Sequence, residues 1–222
     1  MVLAGQFLER ATIIRNGDLA LEGLWHRGER RPALLICPPH PLHGSSMDSA
    51  VCAELAFACS RRGRATLRFN YRGAGASQGT LTDDLATCVD DAAAALEVLA
   101  QTVGSREVAV AGYDFGAAVA VELAKRVGDL KGVVLVAPRA AGFDFAALAG
   151  LQAPGLIALG EHDQTCDRVA LATVCQQMGD HMELVESADH AFSSGLTELG
   201  RVAARFLASL DGSGGDELDA DL

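Results

Sequence analysis

The sequence predicts an α/β fold in which a mostly parallel sheet of about eight strands carries helices on both faces. Three observations lead to this prediction. The chain opens with two β-type runs joined by a tight turn, short apolar runs then alternate with helical runs, and one of those strands passes into a helix through a glycine-flanked turn. Repeated β-α units favour parallel strands, because each helix returns the chain to the same end of the sheet.

Turn and stop signals mark the elements of the first half. Asn16-Gly17 is a strong signal for an antiparallel hairpin between two β-type runs. The next apolar run is continuous and ends at a Pro-Pro pair, as expected of a buried parallel strand. Gly63 ends the helix that follows. The predicted strands are 7–14, 19–25, 33–37 and 65–69, and the predicted helix is 47–61.

The second half repeats the strand-helix pattern. Thr82 or Asp83 is the predicted N-cap of its first helix, because either side chain can accept a hydrogen bond from a free amide of the first turn. The connection from Pro138 to Pro154 leaves room for a short turn only. The predicted strands are 107–111, 133–137, 155–159 and 182–185, and the predicted helices are 83–100, 117–126, 167–178 and 196–210.

The segment Gly112–Gly116, with the sequence G-Y-D-F-G, carries the most information. It follows an apolar strand and precedes an Ala- and Val-rich helix, which is the context of the nucleophile elbow G-x-S-x-G. The glycines let strand and helix approach closely, while the central residue adopts a strained backbone conformation that pushes its side chain outward. Here the central residue is Asp114 instead of serine, so a different chemistry is expected.

Length and charge limit the possible functions. The 222 residues predict one domain over 1–210 and an acidic tail over 211–222 that is too rich in Gly and Asp to order itself. A formal net charge of −11 argues against nucleic acid and anionic membranes as partners. No apolar run approaches the ~20 residues of a membrane span, and the first residues lack the pattern of a signal peptide. We therefore expect a cytoplasmic protein; the sequence carries no signal for its oligomeric state.

Cysteines, arginines and a glycine-rich segment each suggest structure before function. The six cysteines form no C-x-x-C pair and lie mostly in apolar segments, which predicts reduced, buried thiols. The segment 68–79 lacks the Lys-Ser/Thr pair of a P-loop and is predicted to be a structural turn. A group of arginines is interpreted as a solvated helix end and strand edge, with a substrate-carboxylate site as the alternative. Its members are Arg61, Arg62, Arg64, Arg68 and Arg72.

Five short motifs follow one another along the chain. They are C-P-P-H-P-L-H-G-S-S-M-D (37–48), R-F-N-Y-R-G-A-G-A-S-Q-G (68–79), the elbow (112–116), G-E-H-D (160–163) and A-D-H-A-F (188–192). Together they resemble the α/β-hydrolase superfamily, specifically its small, lidless bacterial members of the dienelactone-hydrolase-like or prolyl-oligopeptidase-like kind. The resemblance covers residues from about 7 to 210. It implies a fold without a cap domain and a hydrolase that acts on a small-molecule substrate, with no cofactor and no metal.

The resemblance also implies roles for three side chains. Asp114 takes the position of the nucleophile, and His190, in a loop after the last strand, takes that of the histidine. Asp163 takes the position of the acid that holds the imidazole tautomer, with Glu161 and Asp167 as nearby competitors.

Further positions complete the candidate site. The backbone amides of Phe115 and Leu42 are the expected oxyanion-hole donors. His40, His43 and Tyr113 are candidate substrate-binding residues.

Aspartate at the elbow favours displacement at an sp³ carbon. Attack there forms an alkyl ester, which water activated by His190 can hydrolyse. Attack on an ordinary ester would give a mixed anhydride, a better acyl donor than the substrate, so serine-type esterase activity is expected to be low. Asp114 as a general base on water is the other mechanism that the residues allow.

Two alternatives to an aspartate hydrolase are a catalytically silent binding or interaction protein and a serine hydrolase in which Asp114 is a changed residue. Without a cap, the pocket is expected to leave the Asp114 carboxylate well solvated, which would weaken it as a nucleophile. Asp114 and Asp163 flanking one imidazole are expected to raise the pKa of His190.

Overall fold

The computed structural model describes residues 8–141, 143–148, 150–178 and 181–211. Within them the chain forms eight strands and six α-helices. The strands are β1 (Arg10–Asn16), β2 (Leu19–His26), β3 (Arg30–Cys37), β4 (Arg64–Phe69), β5 (Val108–Tyr113), β6 (Val133–Val136), β7 (Gly155–Gly160) and β8 (His181–Val185). The helices are α1 (Ala50–Arg61), α2 (Leu85–Val103), α3 (Phe115–Val127), α4 (Phe145–Leu148), α5 (Arg168–Met178) and α6 (Leu196–Ser209). Except for Asp211, the predicted acidic tail lies outside the described residues.

All eight strands form one sheet in the order β1-β2-β4-β3-β5-β6-β7-β8. β1 pairs antiparallel with β2, and β2 pairs antiparallel with β4. The remaining neighbours, from β4 across to β8, pair in parallel. The predicted fold, with its opening antiparallel hairpin and mostly parallel sheet, is confirmed.

Helices cover both faces of the sheet, and alternate residues of each strand point to opposite layers. In β3, Leu34 and Ile36 join the apolar cluster that contains α1 and α6, whereas Leu35 and Cys37 join the cluster that contains α2 and α3. Both faces of the central strands are therefore buried, which explains their nearly uninterrupted apolar sequences.

One detail of the second half differs from the prediction and another agrees with it. The N-cap of α2 is Asp84, whose carboxylate accepts a hydrogen bond from Thr87 N at 2.9 Å. Thr82 is not the cap itself but precedes it, and its hydroxyl accepts a hydrogen bond from Asp84 N at 3.1 Å. The connection after β6 contains α4, a single helical turn, which agrees with the absence of space for a cap domain.

The interpretation of the arginines as solvated is wrong for three of the five. Arg64 is fully buried, and its guanidinium donates to Leu207 O at 2.9 Å, to Pro32 O at 3.2 Å and to Asp211 Oδ1 at 2.5 Å. It therefore joins the start of β4 to the end of α6. Burial of an arginine requires such partners, because an unpaired buried charge is costly.

Arg68 and Arg72 are paired as well. Arg68 is buried and contacts the carboxylates of Glu9 at 2.5 Å and Asp48 at 2.8 Å. Arg72 contacts the fully buried Asp91 at 2.7 Å. With their donors engaged by the protein, these side chains do not form the alternative substrate-carboxylate site.

Two structural interpretations are confirmed. In the glycine-rich segment, Ser77 Oγ donates to Asn70 O and accepts from Glu22 N, both at 2.9 Å, so the segment is attached to β2. All six cysteines, which lie in the described part of the chain, are unpaired, and five of them are buried.

Among the described helices, none combines the length and apolar character that crossing a membrane requires.

Candidate active site

The carboxyl ends of four neighbouring strands bring the candidate residues together. β5, β6, β7 and β8 are consecutive in the sheet and parallel, so the segments that follow them meet along one edge. Asp114 follows β5, Asp163 follows β7, and His190 follows β8. The segment after β6 carries Arg139, which the sequence analysis did not single out.

The backbone at Asp114 has the geometry expected of an elbow. Its φ of 56° and ψ of −116° lie in a region that residues with a side chain rarely adopt. A Cβ on Gly112 would lie 2.0 Å from Gly116 O, and a Cβ on Gly116 would lie 2.3 Å from Cys37 O. Only glycine at both positions lets β5, α3 and the end of β3 pack this closely. The predicted reason for the two glycines is confirmed.

His190 lies between the two candidate carboxylates. Its Nδ1 donates to Asp163 Oδ2 at 2.8 Å, and its Nε2 lies 3.5 Å from Asp114 Oδ1. Of the predicted acids, Asp163 is the one in contact with the ring. Glu161 instead accepts a hydrogen bond from Ser187 N at 2.9 Å. The structure therefore assembles Asp114, His190 and Asp163 in the order that the motifs predict.

Two further side chains hold the Asp163 carboxylate. Thr165 donates its backbone N–H and its hydroxyl to Asp163 Oδ1, at 2.8 and 2.7 Å, and its hydroxyl also lies 2.8 Å from His190 Nδ1. Cys166 Sγ lies 3.1 Å from Asp163 Oδ2. These contacts fix both oxygens of the carboxylate, so its orientation toward the imidazole is determined by the loop after β7.

Arg139 forms an ion pair with the elbow carboxylate. Its Nε donates to Asp114 Oδ1 at 2.7 Å, so Arg139 and His190 approach the same oxygen. Among the described residues, no hydrogen bond reaches Asp114 Oδ2. A signal for Arg139 is present in the sequence, since it is a charged residue just beyond the end of an apolar parallel strand. Because it belongs to none of the five motifs, sequence reasoning missed it.

Asp114 is buried, contrary to the expectation of a well-solvated carboxylate. It is 6% exposed, because Phe115, His190 and Arg139 surround it even without a cap. Burial alone would raise the pKa of Asp114, but contacts to His190 and Arg139 outweigh burial and hold this pKa well below its ordinary value. The carboxylate is therefore ionised.

The pKa of His190 is raised, as predicted. Burial of the ring by itself lowers it, but the nearby negative charges of Asp114 and Asp163 and the hydrogen bond from Nδ1 to Asp163 outweigh burial. His190 Nε2 is buried and has no hydrogen-bond partner among the described residues. The Asp114 carboxylate therefore favours the protonated form of this nitrogen more than water would.

A small cavity of about 50 Å³ opens beside Asp114. Its walls are mostly apolar, with His40, Asp114 and Arg139 as the polar members. The other lining residues are Phe115, Ala118, Ala141 and Phe143. Space of this size holds a group of a few non-hydrogen atoms. Burial and the neighbouring His43 lower the pKa of His40, so the cavity contains a neutral imidazole.

The other two predicted substrate-binding residues are not among the described residues that line the cavity. The His43 ring stacks on that of His40, with centroids 4.1 Å apart. Tyr113 donates its hydroxyl to His190 O at 3.1 Å and is buried. Of the three candidates only His40 is among the described residues that line the cavity, while His43 and Tyr113 support His40 and the His190 loop.

The two predicted oxyanion donors differ in position. Phe115 begins α3, directly after Asp114, and its ring lies 5.0 Å from that of His40. Leu42 lies in a single 3₁₀ turn and its side chain is 48% exposed, outside the described cavity lining. The roles of both backbone amides stay predictions.

One donor set in the site has the chemical types that a zinc ion accepts. Atoms of Asp163, Cys166 and His190 lie within 4.8 Å of one another. However, His190 and Cys166 both contact Asp163 Oδ2, and burial together with Asp163 raises the pKa of the Cys166 thiol. A cysteine that binds a metal must be deprotonated to the thiolate, so the site as built favours hydrogen bonding over metal binding.

Comparisons with known proteins agree with this architecture. Residues 40–144 match the family model described as serine aminopeptidase, S33. An α/β serine hydrolase homologue from Coxiella burnetii is 30% identical, with 89% of this chain and 97% of that chain covered and a TM-score of 0.79. A lidless α/β serine hydrolase from Xanthomonas campestris is 22% identical over 93% and 97% of the two chains, with a TM-score of 0.81.

A dienelactone hydrolase from Anabaena variabilis shares the fold at 19% identity, with 92% and 98% of the two chains covered and a TM-score of 0.74. The similarity to the Xanthomonas and Anabaena proteins, at 22% and 19% identity, concerns the fold alone. The likeness to the Coxiella protein extends over nearly the whole of that chain, and it includes sequence as well as structure. Together with the elbow between β5 and α3, it shows that this chain belongs to the α/β-hydrolase superfamily, among its lidless members.

Proposed function

We propose that the protein is a hydrolase that displaces a leaving group from an sp³ carbon of a small molecule, with Asp114 as the nucleophile. The observation that carries this proposal is the position of His190, whose Nδ1 lies 2.8 Å from Asp163 and whose Nε2 lies 3.5 Å from Asp114. In the proposed reaction Asp114 forms an alkyl ester, His190 accepts a proton from the water that hydrolyses it, and Asp163 orients His190. Membership of the superfamily supports a hydrolase-type function in general.

The lowered pKa of Asp114 supports attack by this residue over general-base action. A carboxylate with a low pKa is ionised at all physiological pH values, so the nucleophile is present. The same low pKa makes it a poor proton acceptor, and a general base works best with a pKa near the operating pH. His190, with a raised pKa, is the better base of the two.

Formation of the ester would itself prepare His190 for the second step. In the free enzyme the charge of Asp114 favours the protonated imidazole. Esterification removes that charge, so the pKa of His190 falls and the neutral form, which can accept a proton from water, becomes more populated. The charge on Asp163 remains and holds the ring with Nε2 toward the ester.

Burial and cavity size support a small substrate. A carboxylate that is 6% exposed has lost most of its hydration, which counteracts the weakening expected of an open pocket. The cavity of about 50 Å³ accommodates the carbon under attack and its closest substituents, and the rest of a larger molecule would extend into solvent. Propylene oxide and bromoacetate are probes of suitable size.

A single-turnover reaction in water labelled with heavy oxygen tests the proposal. With enzyme in excess over propylene oxide or bromoacetate, the label is expected in the peptide that contains Asp114, and the first product molecule carries unlabelled oxygen from the carboxylate. General-base catalysis by Asp114 gives the opposite pattern, with labelled product and unlabelled peptide. In His190→Gln the ester is expected to accumulate and to appear as added mass on Asp114.

The ion pair between Arg139 and Asp114 supports a second candidate, a binding protein without catalysis. A guanidinium 2.7 Å from Asp114 Oδ1 withdraws electron density from the carboxylate and stabilises it in its resting state. This candidate predicts neither turnover nor an adduct with any small electrophile, in the wild type or in His190→Gln. The labelling experiment therefore distinguishes the two functions.

A further inference from the structure

We propose that Arg139 is a catalytic residue that donates a hydrogen bond to the oxyanion formed when the Asp114 ester is hydrolysed. The inference rests on the proposed function and adds a residue to it. Its basis is the contact between Arg139 Nε and Asp114 Oδ1 at 2.7 Å, together with the absence of any hydrogen bond from the described residues to Asp114 Oδ2.

The two oxygens of Asp114 are not equivalent, and this determines which one attacks. Oδ1 accepts a hydrogen bond from Arg139 Nε and lies 3.5 Å from His190 Nε2. Oδ2 accepts no hydrogen bond from the described residues, and it belongs to a residue that lines the cavity. Attack by Oδ2 on the sp³ carbon forms the carbon–Oδ2 bond, and the leaving group departs with the electron pair of the broken bond. Oδ1 then becomes the carbonyl oxygen of the ester.

Charge develops on Oδ1 in the second step. Water attacks Cγ of Asp114 while one of its protons passes to His190 Nε2, and the carbonyl electron pair moves to Oδ1. The resulting oxyanion lies at the atom that already accepts from Arg139 Nε. Collapse breaks the bond between Cγ and Oδ2, the product oxygen takes the proton from His190, and the new carboxyl group loses its remaining proton to solvent.

A guanidinium is well suited to this position. It stays protonated, and contact with Asp114 raises the pKa of Arg139 further. A donor that is already in place needs no reorganisation when charge appears, and such donors account for large parts of enzymatic rate enhancements. The proposal for Arg139 does not depend on the two backbone amides predicted for the oxyanion hole, because Arg139 Nε already contacts Oδ1.

Arg139→Gln and Arg139→Lys test the inference with the probes used above. Intact-protein mass spectrometry after rapid mixing measures how fast the Asp114 ester forms and how fast it disappears. In Arg139→Gln hydrolysis of the ester is expected to slow by about 100-fold, while formation keeps the wild-type rate or exceeds it. The ester then accumulates. Arg139→Lys, which keeps a charged donor, is expected to recover part of the hydrolysis rate.

Arg126→Gln is the matched control, because Arg126 is an exposed arginine that pairs with Asp90 away from the site. It is expected to behave as the wild type, and circular dichroism compares the folds of all variants. If Arg139→Gln hydrolyses the ester at the wild-type rate while His190→Gln accumulates it, the role of Arg139 is refuted and the proposed function stands. If no variant ever carries mass on Asp114, both proposals fail.

Discussion

At the scale of single residues, the substitution of serine by aspartate at the elbow changes the electrostatics of the whole site. Serine is neutral, whereas Asp114 places a negative charge 3.5 Å from His190 Nε2. Arg139, in the segment that follows the neighbouring strand β6, forms an ion pair with this negative charge. The site is therefore arranged around a carboxylate, and it favours chemistry in which that carboxylate remains ionised until it reacts.

The first residue-scale prediction concerns Asp114, the proposed nucleophile. Asp114→Ser is expected to hydrolyse p-nitrophenyl acetate at least about 100-fold faster than the wild type. His190 can deprotonate a neighbouring hydroxyl, and the acyl ester that serine forms is more stable than the mixed anhydride that aspartate would form. Initial rates measured at neutral pH check this. Asp114→Ala provides the background, since it lacks any nucleophile. Equal rates for the serine and alanine variants would show that His190 and the oxyanion donors are not placed for acyl transfer.

The second residue-scale prediction concerns pH. Because the two carboxylates raise the pKa of His190, the pKa measured by NMR is expected above the ordinary value of about 6.5. Asp114→Asn removes one negative charge, so the pKa is expected to fall. Ester hydrolysis needs the neutral ring, and its rate is therefore expected to decline as the pH falls through the pKa of the ester form. An unchanged midpoint in Asp114→Asn would contradict the assigned electrostatics.

The sequence predicted some residues of this site and missed others, and the difference has a physical cause. Asp114, Asp163 and His190 lie within motifs whose local geometry depends on glycine and on the order of strands and loops. Arg139 and Thr165 lie outside such motifs, and they reach the site because neighbouring strands end side by side. Contacts of this kind depend on the strand order, which residue patterns along the chain do not specify.

At the scale of secondary-structure elements, the close contact between β5 and α3 positions the elbow. The N-terminus of α3 packs against the end of β3, where Gly116 faces the carbonyl oxygens of Cys37 and Pro38. Both neighbours are main-chain atoms of elements fixed in the core, so neither can move aside alone. The direction of the Asp114 side chain consequently depends on Gly112 and Gly116, two residues that carry no side chain.

Gly116→Ala tests this packing. Its Cβ would lie 2.3 Å from Cys37 O and 2.5 Å from Pro38 O, so the free energy of unfolding is expected to fall by about 1–3 kcal/mol, near the upper end. Urea denaturation followed by circular dichroism measures the change. Gly150→Ala is the control, since the closest atom to its Cβ would be Ala147 O at 3.7 Å. Similar stabilities for the two variants would mean that α3 can shift away from β3 without cost.

At the scale of the whole molecule, the sequence predicted the list of elements better than their arrangement. Turn signals and apolar runs located the eight strands and every helix except α4 in their correct order. The position of β3 between β4 and β5 and the contact between α1 and α6 come from long-range packing, which a pattern within one segment cannot show. The buried arginines were misjudged for the same reason, because their partners come from distant segments.

Arg64 shows how such a long-range contact joins distant segments of the chain. Its guanidinium lies at the start of β4 and binds the carbonyl oxygen of Leu207, near the end of α6, and the carboxylate of Asp211, just beyond that helix. Arg64 Nε is buried and has no partner among the described residues, which offsets part of the stabilisation. The hydrogen bonds of the two terminal guanidinium nitrogens still compensate for the removal of the positive charge from water.

Arg64→Met keeps the apolar part of the side chain and removes these contacts, and it leaves Asp211 without its cation. The free energy of unfolding is expected to fall by about 3 kcal/mol, the lower end for deleting one member of a buried ion pair, because the Asp211 side chain is still 17% exposed. Asp211→Asn is expected to cost less, because the amide oxygen can still accept from the guanidinium. Urea denaturation of both variants measures the losses.

The exposed pair of Arg106 and Glu97 supplies the comparison for this measurement. Arg106→Met is expected to leave the unfolding curve unchanged within error, because an ion pair in water contributes little. Raising the salt concentration should reduce the difference between wild type and Arg64→Met only slightly, since buried charges are weakly screened. A loss for Arg64→Met as small as that for Arg106→Met would mean that α6 is held to the sheet by its apolar face alone.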